Sequence, residues 1–388
     1  MTEWKRVKLG DICNITSSKR IFAMEYQKEG IPFYRGKEII EKHQGNNVST
    51  ELFISCQRYE EIRTKYDVPK RGDILLSSVG TLGVSWLVDE DEFYFKDGNL
   101  TWLRPNELTT SNYLYLWLNS PDCQHQIDTM CIGSTQKALT IETLNKFNVL
   151  LPDIITQKKI CAQLHPIMEK IKNNRMINEN LSDQIQAIYS NEFDPTTHTP
   201  SGILADICSY SSDRIPVSEL SVSTFFSTEN MQPNKMGSVD ATSLPSITQT
   251  TGCHKGDVLI SNIRPYFKKI VYVTDDRCGC STDVLCFVPK EDQYSAFLFG
   301  TLYMDRFFDF MVAGSKGTKM PRGDKQQIMN YPVVLPDKES LNLFNGLIGP
   351  MLDQIATNRI ESSRLAALRD TLLPKLMSGE LDVSDIDL

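Results

Sequence analysis

The sequence has no long hydrophobic run, few histidines and a shortage of positive charge. In 388 residues, no apolar stretch approaches the roughly 18 residues that a membrane-spanning helix needs. The opening segment, MTEWKRVKLG, lacks the apolar stretch of a signal peptide, so we expect a cytoplasmic protein with no membrane contact. Apolar residues make up 40% and charged residues 23%, which is typical of a globular chain. The length predicts two or three domains.

The motifs of several enzyme classes are also missing. The sequence has no G-x4-G-K-[ST] phosphate loop, no H-E-x-x-H zinc site and no N-P-P-Y-like or D-P-P-Y-like string for base methylation. The five histidines are scattered and belong to no triad-like signature. We therefore expect a protein without a catalytic centre or cofactor of its own. An active site assembled from distant residues is the alternative.

The ten cysteines should be reduced thiols in the cytoplasm. The tightest group is Cys278, Cys280 and Cys286, with Cys253 and His254 upstream. Its C-x-C-x5-C spacing matches no strong zinc pattern. We interpret these cysteines as small buried apolar side chains, with metal binding as the alternative, and predict no metal site.

The chain carries 49 acidic and 41 basic residues, which gives a net charge of -8. A negative net charge is unusual for a protein that binds nucleic acid, because such proteins present a basic patch. It does not exclude that function, since binding depends on where the charges lie.

The clearest feature of the sequence is an internal duplication. Residues 70–78 match 254–262, and residues 148–153 match 332–337, both at an offset of 184. Near the start of each half, 9–13 match 204–208 at an offset of 195, so an 11-residue length difference lies before Gly72. We predict two halves of mixed α/β structure, each with short strands, aromatic-rich helices and a final V-x-L-P-D strand followed by a long helix.

The two long helices have the pattern of a coiled coil. Apolar or seam residues recur at alternating steps of four and three, which is the 3.5-residue repeat of that structure. The first helix should span about 156–192, or roughly 55 Å at 1.5 Å per residue. Pro166 and Pro350 should lie in the first turns or cause a bend. The predicted seam residues are Ile160, Leu164, Ile167, Ile171, Asn174, Asn178, Leu181, Ile185 and Ile188 in the first helix, and Ile348, Met351, Ile355, Asn358, Ser362, Leu365 and Leu372 in the second.

Each of these helices needs a partner for its single apolar seam, and we expect them to pair with each other in antiparallel orientation. A symmetric register would set Asn174 against Ser362 and Asn178 against Asn358. Polar seam residues specify register at a cost in stability. Two similar domains separated by such a rod would suit DNA, where half-sites one helical turn apart lie about 34 Å from each other.

The order of these elements resembles the specificity subunit of type I restriction–modification enzymes. The features that carry the resemblance are WKRVKLGDIC at the start, IPFYRGKEI, RGDILLSSVGTLG, and G-S-T-Q-K-x-L before a V-x-L-P strand. The segment LRDTLLPKLMSGEL, at 368–381, is the most similar to the family. The resemblance covers essentially the whole chain. The second half departs from it at Arg264-Pro265-Tyr266-Phe267, which stand where the first half has Gly80-Thr81-Leu82-Gly83.

The resemblance implies two tandem target recognition domains of mixed α/β fold, each followed by a spacer helix of an antiparallel coiled coil. Their expected bounds are 1–153 and 196–337 for the domains, 154–195 and 338–380 for the helices, and 381–388 for a tail. The implied partners are double-stranded DNA, two modification subunits that methylate adenine, and restriction subunits. S-adenosylmethionine, and ATP with magnesium, would belong to those partners.

DNA contacts require basic or polar side chains on loops, with arginine, lysine, asparagine or glutamine for base edges. Two loops that follow the aromatic helices are the strongest candidates, and a solvated surface loop is their alternative interpretation. For Arg35 and Lys37 the plainer interpretation is an ordinary turn. The candidates are Lys19, Arg20, Arg35, Lys37, Ser78, Thr81, Ser134, Thr135, Gln136 and Lys137 in the first half, and Arg214, Asn262, Arg264, Tyr266, Lys268, Lys269, Ser315, Lys316, Lys319 and Arg322 in the second.

The leading interpretation is thus a non-catalytic subunit that reads DNA sequence. A coiled-coil scaffold that binds only proteins is the first alternative, and sequence-specific, salt-dependent DNA binding would separate the two. A stand-alone methyltransferase is the second alternative, and the missing motifs argue against it.

Overall fold

A computed structural model of the chain describes residues 4–45, 48, 50–89, 92–130, 138–317 and 319–386. The chain forms two compact units. Unit 1 contains residues 1–172 and 362–388, and unit 2 contains residues 173–361. Each unit therefore combines one globular region with a piece of each long helix.

The first half of the chain is a series of short strands and helices that ends in one long helix. In chain order its elements are β1 (Lys5–Lys8), α1 (Leu9–Ile12), β2 (Cys13–Thr16), β3 (Ile31–Tyr34), α2 (Gly36–His43), β4 (Phe53–Ile54), α3 (Cys56–Tyr66), β5 (Ile74–Ser77), β6 (Ser85–Leu87), β7 (Tyr94–Phe95), β8 (Leu100–Pro105), α4 (Ser111–Leu118), α5 (Pro121–Met130), α6 (Ile141–Asn145), β9 (Asn148–Leu151) and α7 (Ile154–Phe193). The main sheet has the strand order β2-β8-β5-β6, and all its pairs are antiparallel.

The second half repeats this plan. In chain order its elements are β10 (Gly202–Ile203), α8 (Leu204–Ile207), β11 (Cys208–Tyr210), β12 (Arg214–Pro216), β13 (Phe225–Phe226), β14 (Gln249–Cys253), β15 (Val258–Ser261), β16 (Ile270–Tyr272), β17 (Cys278–Cys280), β18 (Val284–Pro289), α9 (Ser295–Tyr303), α10 (Asp305–Ala313), α11 (Lys325–Met329), β19 (Pro332–Val333) and α12 (Lys338–Met377). Its main sheet has the order β11-β18-β15-β16, again antiparallel.

Strand register confirms the duplication residue by residue. Leu75 pairs with Trp102 in the first main sheet, and Leu259 pairs with Cys286 in the second, both at the offset of 184. A smaller sheet lies beside each main sheet, with the order β4-β3-β7 in the first half and β12-β14-β17-β13 in the second. The two halves therefore share their main sheet and differ in the smaller one.

The aromatic helices supply the hydrophobic cores, as their composition predicts. In unit 1, Tyr113 and Trp117 on α4 are 0% and 2% exposed. In unit 2, Phe297 on α9 and Phe307 on α10 are fully buried. The aromatic run of the second half is divided at Met304, whose extended backbone separates α9 from α10.

The cysteines of the second half lie inside the sheets. Cys253, Cys278, Cys280 and Cys286 are all at most 3% exposed and belong to one apolar cluster. Burial raises the pKa of the Cys278 thiol to about 12, so this group is a neutral thiol at physiological pH. Across the described ranges, no group of three or more His, Cys, Asp or Glu side chains is placed to hold a metal ion.

The V-x-L-P-D motif marks the passage from a strand to a long helix. Asp153 Oδ1 accepts hydrogen bonds from the backbone N–H groups of Ile155 and Thr156, both at 2.9 Å. Asp337 Oδ1 accepts one from Ser340 at 2.8 Å. These carboxylates satisfy N–H groups that the first helical turn leaves without partners. The same backbone hydrogen bonds lower the pKa of both aspartates.

The two long helices each span 40 residues and pair in antiparallel orientation. The start of α7 packs with the end of α12 in unit 1, where Ile160 and Leu164 share a core with Leu373 and Leu376. The end of α7 packs with the start of α12 in unit 2. All the predicted seam residues are buried or half-buried. The predicted fold class of mixed α/β domains with an antiparallel helix pair is confirmed.

The prolines lie further inside the long helices than expected. Pro166 lies in the interior of α7 rather than in its first turn, and Pro350 lies in the interior of α12. Neither proline ends its helix, because both helices continue for more than 20 further residues. No helix in the part of the chain that the structure describes is both long and apolar enough to cross a bilayer.

Polar side chains interrupt the seam within unit 2. Asn358 Nδ2 donates to Asn178 Oδ1 at 2.8 Å, so the pairing expected from the symmetric register is present. Asn174 Nδ2 donates to Glu361 Oε2 at 2.7 Å and to the backbone oxygen of Asn358 at 3.4 Å. Since buried amides need partners, these contacts favour one register over its neighbours.

The amide pair predicts a non-additive effect on stability. Asn358→Leu should lower the free energy of unfolding by about 1–3 kcal/mol, because it leaves the half-buried Asn178 oxygen without its donor. The double variant Asn178→Leu/Asn358→Leu should recover part of this loss, since two apolar residues then face each other. Urea denaturation followed by circular dichroism measures both. The single variant Asn178→Leu completes the comparison. If the double variant loses as much free energy of unfolding as the two single variants together, the pairing is contradicted.

Candidate nucleic-acid interface

In each half a fully buried strand of the main sheet runs into a turn. Strand β5 ends at Ser77 and strand β15 ends at Ser261. The next residues, Ser78 and Asn262, are still 3% and 9% exposed. The chain then leaves the sheet in turns that cover 79–83 in the first half and 263–269 in the second. The turns differ in sequence although the strands before them match.

Each turn is joined to the loop that follows the aromatic helices. In the second half Ile263 forms a β-bridge with Arg322, and the backbone N–H of Arg264 donates to the oxygen of Pro321 at 2.8 Å. In the first half Val79 forms the equivalent bridge with Ala138, again at an offset of 184. The structure therefore brings together, in both halves, two segments that the sequence only suggested separately.

Four of the predicted residues, namely Ser134, Thr135, Gln136 and Lys137, lie outside the described residues. Ala138, which follows them directly, contacts the turn. The exposed Thr81 lies on that turn. The hydroxyl of Ser78 is buried and lies 2.5 Å from Thr101 Oγ1, so it serves the interior of the sheet.

The basic loop of the second half is closed on itself. Lys316 and Arg322 exchange two backbone hydrogen bonds, of 2.9 and 3.0 Å. The side chain of Arg322 is 56% exposed and contacts Asp283 at 2.9 Å. That of Lys316 is 81% exposed and contacts Asp324 at 2.6 Å, which raises the pKa of this lysine. Ser315 Oγ donates to the oxygen of Val312 at the end of α10.

The second turn has an unusual backbone. Arg264 and Lys268 adopt left-handed conformations, with φ of 50° and 51°. Gly80, the counterpart of Arg264 in the first half, has φ of 82°. A side chain in this conformation costs roughly 1–2 kcal/mol, which glycine avoids. The second half therefore tolerates backbone strain to place an arginine where the first half has glycine.

A neighbouring loop that sequence reasoning missed supports the second turn. Asn234 and Lys235, also left-handed with φ of 55° and 63°, donate backbone hydrogen bonds of 2.8 Å to the oxygens of Phe267 and Lys268. Burial lowers the pKa of Lys235, whose ammonium lies 2.6 Å from Asp305. No sequence signal marks Lys235, because its contacts arise only in the folded chain.

Two predicted lysines of this turn are engaged by the protein itself. Lys268 Nζ lies 3.0 Å from Asp305 Oδ1. Lys269 Nζ donates to the backbone oxygen of Thr228 at 2.5 Å. Their ammonium groups therefore link the turn to Asp305 on α10 and to the loop that contains Thr228. Lys316 and Arg322 of the closed loop contact aspartates as well, and the guanidinium of the half-buried Arg264 lies 3.5 Å from the backbone oxygen of Lys319.

The other candidates lie on different elements. Arg20 pairs with Asp97 at 2.8 Å, and Lys37 lies 3.6 Å from Glu41. Arg35 pairs at 2.8 Å with Glu38, whose side chain is completely buried. The ammonium of Lys19 lies 4.3 Å from the centre of the Tyr66 ring, and Arg214 begins strand β12. The contacts of Arg35 support the plainer interpretation of this residue as part of a local turn.

The left-handed turn predicts an arginine that can be removed without loss of stability. Arg264→Gly should leave the free energy of unfolding unchanged within about 1 kcal/mol or raise it, because glycine relieves the strained conformation. Thermal unfolding measures this change. The matched control is Arg322→Gly, whose backbone is not left-handed and which should lose roughly 0.5–1 kcal/mol. Equal destabilisation by the two substitutions would show that the conformation of Arg264 costs nothing.

Comparisons with known proteins agree with this architecture. Residues 1–183 match the family model of the type I restriction modification DNA specificity domain. A putative type I restriction enzyme specificity subunit of Haemophilus influenzae is 30% identical over 164 residues, which are 41% of this chain and 39% of that protein. The specificity subunit of the type I restriction enzyme HindI, from the same organism, is 20% identical and aligns with 98% of this chain and all of its own length.

The fold is also found in a solved structure. The crystal structure of the S subunit of a type I restriction–modification system from M. genitalium has a TM-score of 0.56 to this chain. The superposition covers 97% of this chain and 96% of that one at 15% sequence identity, so it shows a shared fold. Fold, duplication and family match agree: the chain is similar to the specificity subunits of type I restriction–modification enzymes, and its first half matches the model of their DNA specificity domain.

Proposed function

We propose that the chain reads a DNA target made of two separated parts, one with each half. The observation that supports this most directly is the duplicated combination of turn and loop. The bridge between Val79 and Ala138 recurs between Ile263 and Arg322, so the backbone frame is the same. The side chains on the frame differ, with Thr81 in one turn and Arg264 and Tyr266 in the other. Similar frames with different side chains would recognise different base sequences.

The paired helices α7 and α12 would fix the separation between the two parts of the target. Each helix runs without interruption for 40 residues and contributes to both compact units. A continuous helix pair with a buried seam is stiff compared with a loop, so it suits a spacer. The polar contacts of Asn178 and Asn358 would set the register on which this spacing depends.

The acidic balance of the chain suggests that it does not bind DNA alone. Two modification subunits would supply adenine methylation with S-adenosylmethionine, and restriction subunits would supply ATP- and magnesium-dependent cleavage. The complex would act in the cytoplasm. In this proposal basic side chains of the modification subunits also neutralise most of the phosphate charges of the duplex. The specificity subunit then needs only local cations, such as Arg264, Lys319 and Arg322, near the bases.

Methylome sequencing tests the function. In a host that carries the modification partner, we expect N6-methyladenine in a split motif, with a fixed gap, only when this chain is present. The variant Arg264→Gly keeps the fold in our expectation, and should make only the second part of that motif degenerate. A direct contact to a base typically contributes roughly 1–3 kcal/mol of discrimination.

The matched control is Lys290→Ala. Lys290 is exposed and follows strand β18 at the end remote from the turn, about 20 Å along the strand from Val284. It should leave the motif unchanged. A methylome that does not respond to the chain, although the modification subunits bind it, would favour a protein scaffold without DNA recognition. Degeneracy in the first part of the motif would contradict the assignment of the second half.

The spacer role predicts a change in the gap. Deletion of one heptad from each long helix keeps the seam in phase but shortens the pair by about 10 Å, which corresponds to roughly three base pairs. We expect methylation of the original motif to be lost, with any remaining methylation on the same two parts at a shorter gap. Methylome sequencing of the variant shows this. Full methylation at the original gap would exclude a spacer role for these helices.

A further inference from the structure

Two exposed aromatic side chains stand side by side on the second turn. Tyr266 is 48% exposed and Phe267 is 39% exposed, and their ring centres lie 4.8 Å apart. Neither ring belongs to a hydrophobic core of unit 2. Among the aromatic residues that the structure describes, only Phe22 and Tyr66 are comparably exposed. Since large apolar side chains are normally buried, an adjacent exposed pair indicates a contact surface.

The turn that carries this pair is held rigidly. Pro265 is buried, and the backbone N–H groups of Phe267 and Lys268 donate within the turn at 2.9 Å each. Asn234 and Lys235 bind the carbonyl oxygens of the turn from one side, and Pro321 accepts from Arg264 on the other. Rings on such a support keep their orientation without a further loss of conformational entropy on binding.

Basic side chains flank the pair, and two of them, Lys268 and Arg322, contact Asp305 and Asp283. Arg264 and Lys268 bracket the two rings in sequence, and Arg264 Nη2 lies 3.5 Å from the backbone oxygen of Lys319. The bridge from Ile263 places Arg322 next to the same turn. A protein partner that buried the aromatic pair would also have to satisfy these cations. A nucleic-acid duplex offers both parts at once, because apolar base faces lie between rows of phosphates.

The equivalent turn of the first half, which lies within the described residues, carries no aromatic pair. It has Thr81 and Leu82 between Gly80 and Gly83, and Leu82 is packed against the core of unit 1. Of the two turns, only the second has the aromatic pair and the left-handed Arg264 and Lys268, and residues in this conformation concentrate where function requires them.

We propose that Tyr266 and Phe267 form an aromatic wedge that enters the base stack in the second part of the DNA target and bends the duplex there. This inference rests on the proposed function and adds how the second half reads sequence. Apolar side chains that enter a base step unstack it and kink the duplex, and flanking cations hold the displaced phosphates. We expect no bend at the part read by the first half.

The wedge has a consequence for the target sequence. Pyrimidine–purine steps, namely TA and CA/TG, unstack and kink most easily. We therefore expect such a step in the second part of the methylated motif, at a position where exchange for a stiffer step weakens binding. This readout depends on the deformability of the duplex, so it requires no hydrogen bond to the bases of that step.

The experiment uses the complex of the full chain with its modification subunits and a duplex that carries the methylated motif. Energy transfer between dyes at the two ends measures the bend, and 2-aminopurine at the flexible step, away from the methylated adenine, measures unstacking. The wild-type complex should bend the duplex and raise the 2-aminopurine fluorescence. Tyr266→Ala/Phe267→Ala should abolish both signals and weaken binding roughly ten- to a hundredfold. A mismatch at the step should restore part of that affinity.

The controls separate the possible failures. Tyr266→Phe/Phe267→Leu keeps an apolar wedge and should retain the bend, whereas Phe22→Ala removes an exposed ring elsewhere and should change nothing. If the wild-type complex binds no specific duplex, the proposed function itself fails. If it binds but the alanine variant bends the duplex equally, only the wedge is overturned. If that variant no longer assembles with the modification subunits in size-exclusion chromatography, the rings contact a protein partner instead.

Discussion

The burial of one apolar seam along two long helices is the constraint on which the structure of this chain depends. The core of unit 1 includes Leu373, Leu376 and Met377 from the last turns of α12 and Val383 beyond it, whereas its other buried residues come from the first half of the chain. The core of unit 2 includes Ile185 and Tyr189 from α7, and Ile348 and Ile355 from α12. Both cores therefore contain residues of each long helix. The core of unit 1 depends in addition on contacts that are distant in the chain, because it joins the first half to the end of α12.

Polar residues in the seam give this arrangement its register. An uninterrupted apolar seam would allow the helices to slide by one heptad at little cost, because each new pairing would again be apolar. Asn174, Asn178 and Asn358 remove this freedom, since a shifted register would bury their amides against carbon. The polar residues make the helix pair less stable than an apolar seam would, but they define its register and therefore its length. Under the proposed function, a defined length of the helix pair would fix the distance between the two parts of the DNA target.

The duplication divides the chain into a part that stays constant and a part that changes. Main-sheet order and the bridge from the turn to the loop are the same in both halves, whereas α2 and α3 of the first half have no counterpart among the described helices of the second. The turn itself changes from glycines to a strained basic and aromatic segment that needs Asn234 and Lys235 to hold it. The main sheets and the bridges stabilise each half, so the turns can differ in sequence and can include residues in strained backbone conformations.

The sequence alone determined the duplication, the mixed α/β class, the two helices and the antiparallel pairing, because these follow from periodic patterns and from repeated strings. It also identified both surface segments of the site in the second half. Only the tertiary structure decided that these segments touch, and that Lys268 and Lys269 are engaged internally. Only the structure showed that Lys235 supports the turn and that Pro166 stays within its helix. The physical reason is that hydropathy and spacing are local properties, whereas the partners of a charged side chain depend on which distant loops the fold brings within hydrogen-bond distance.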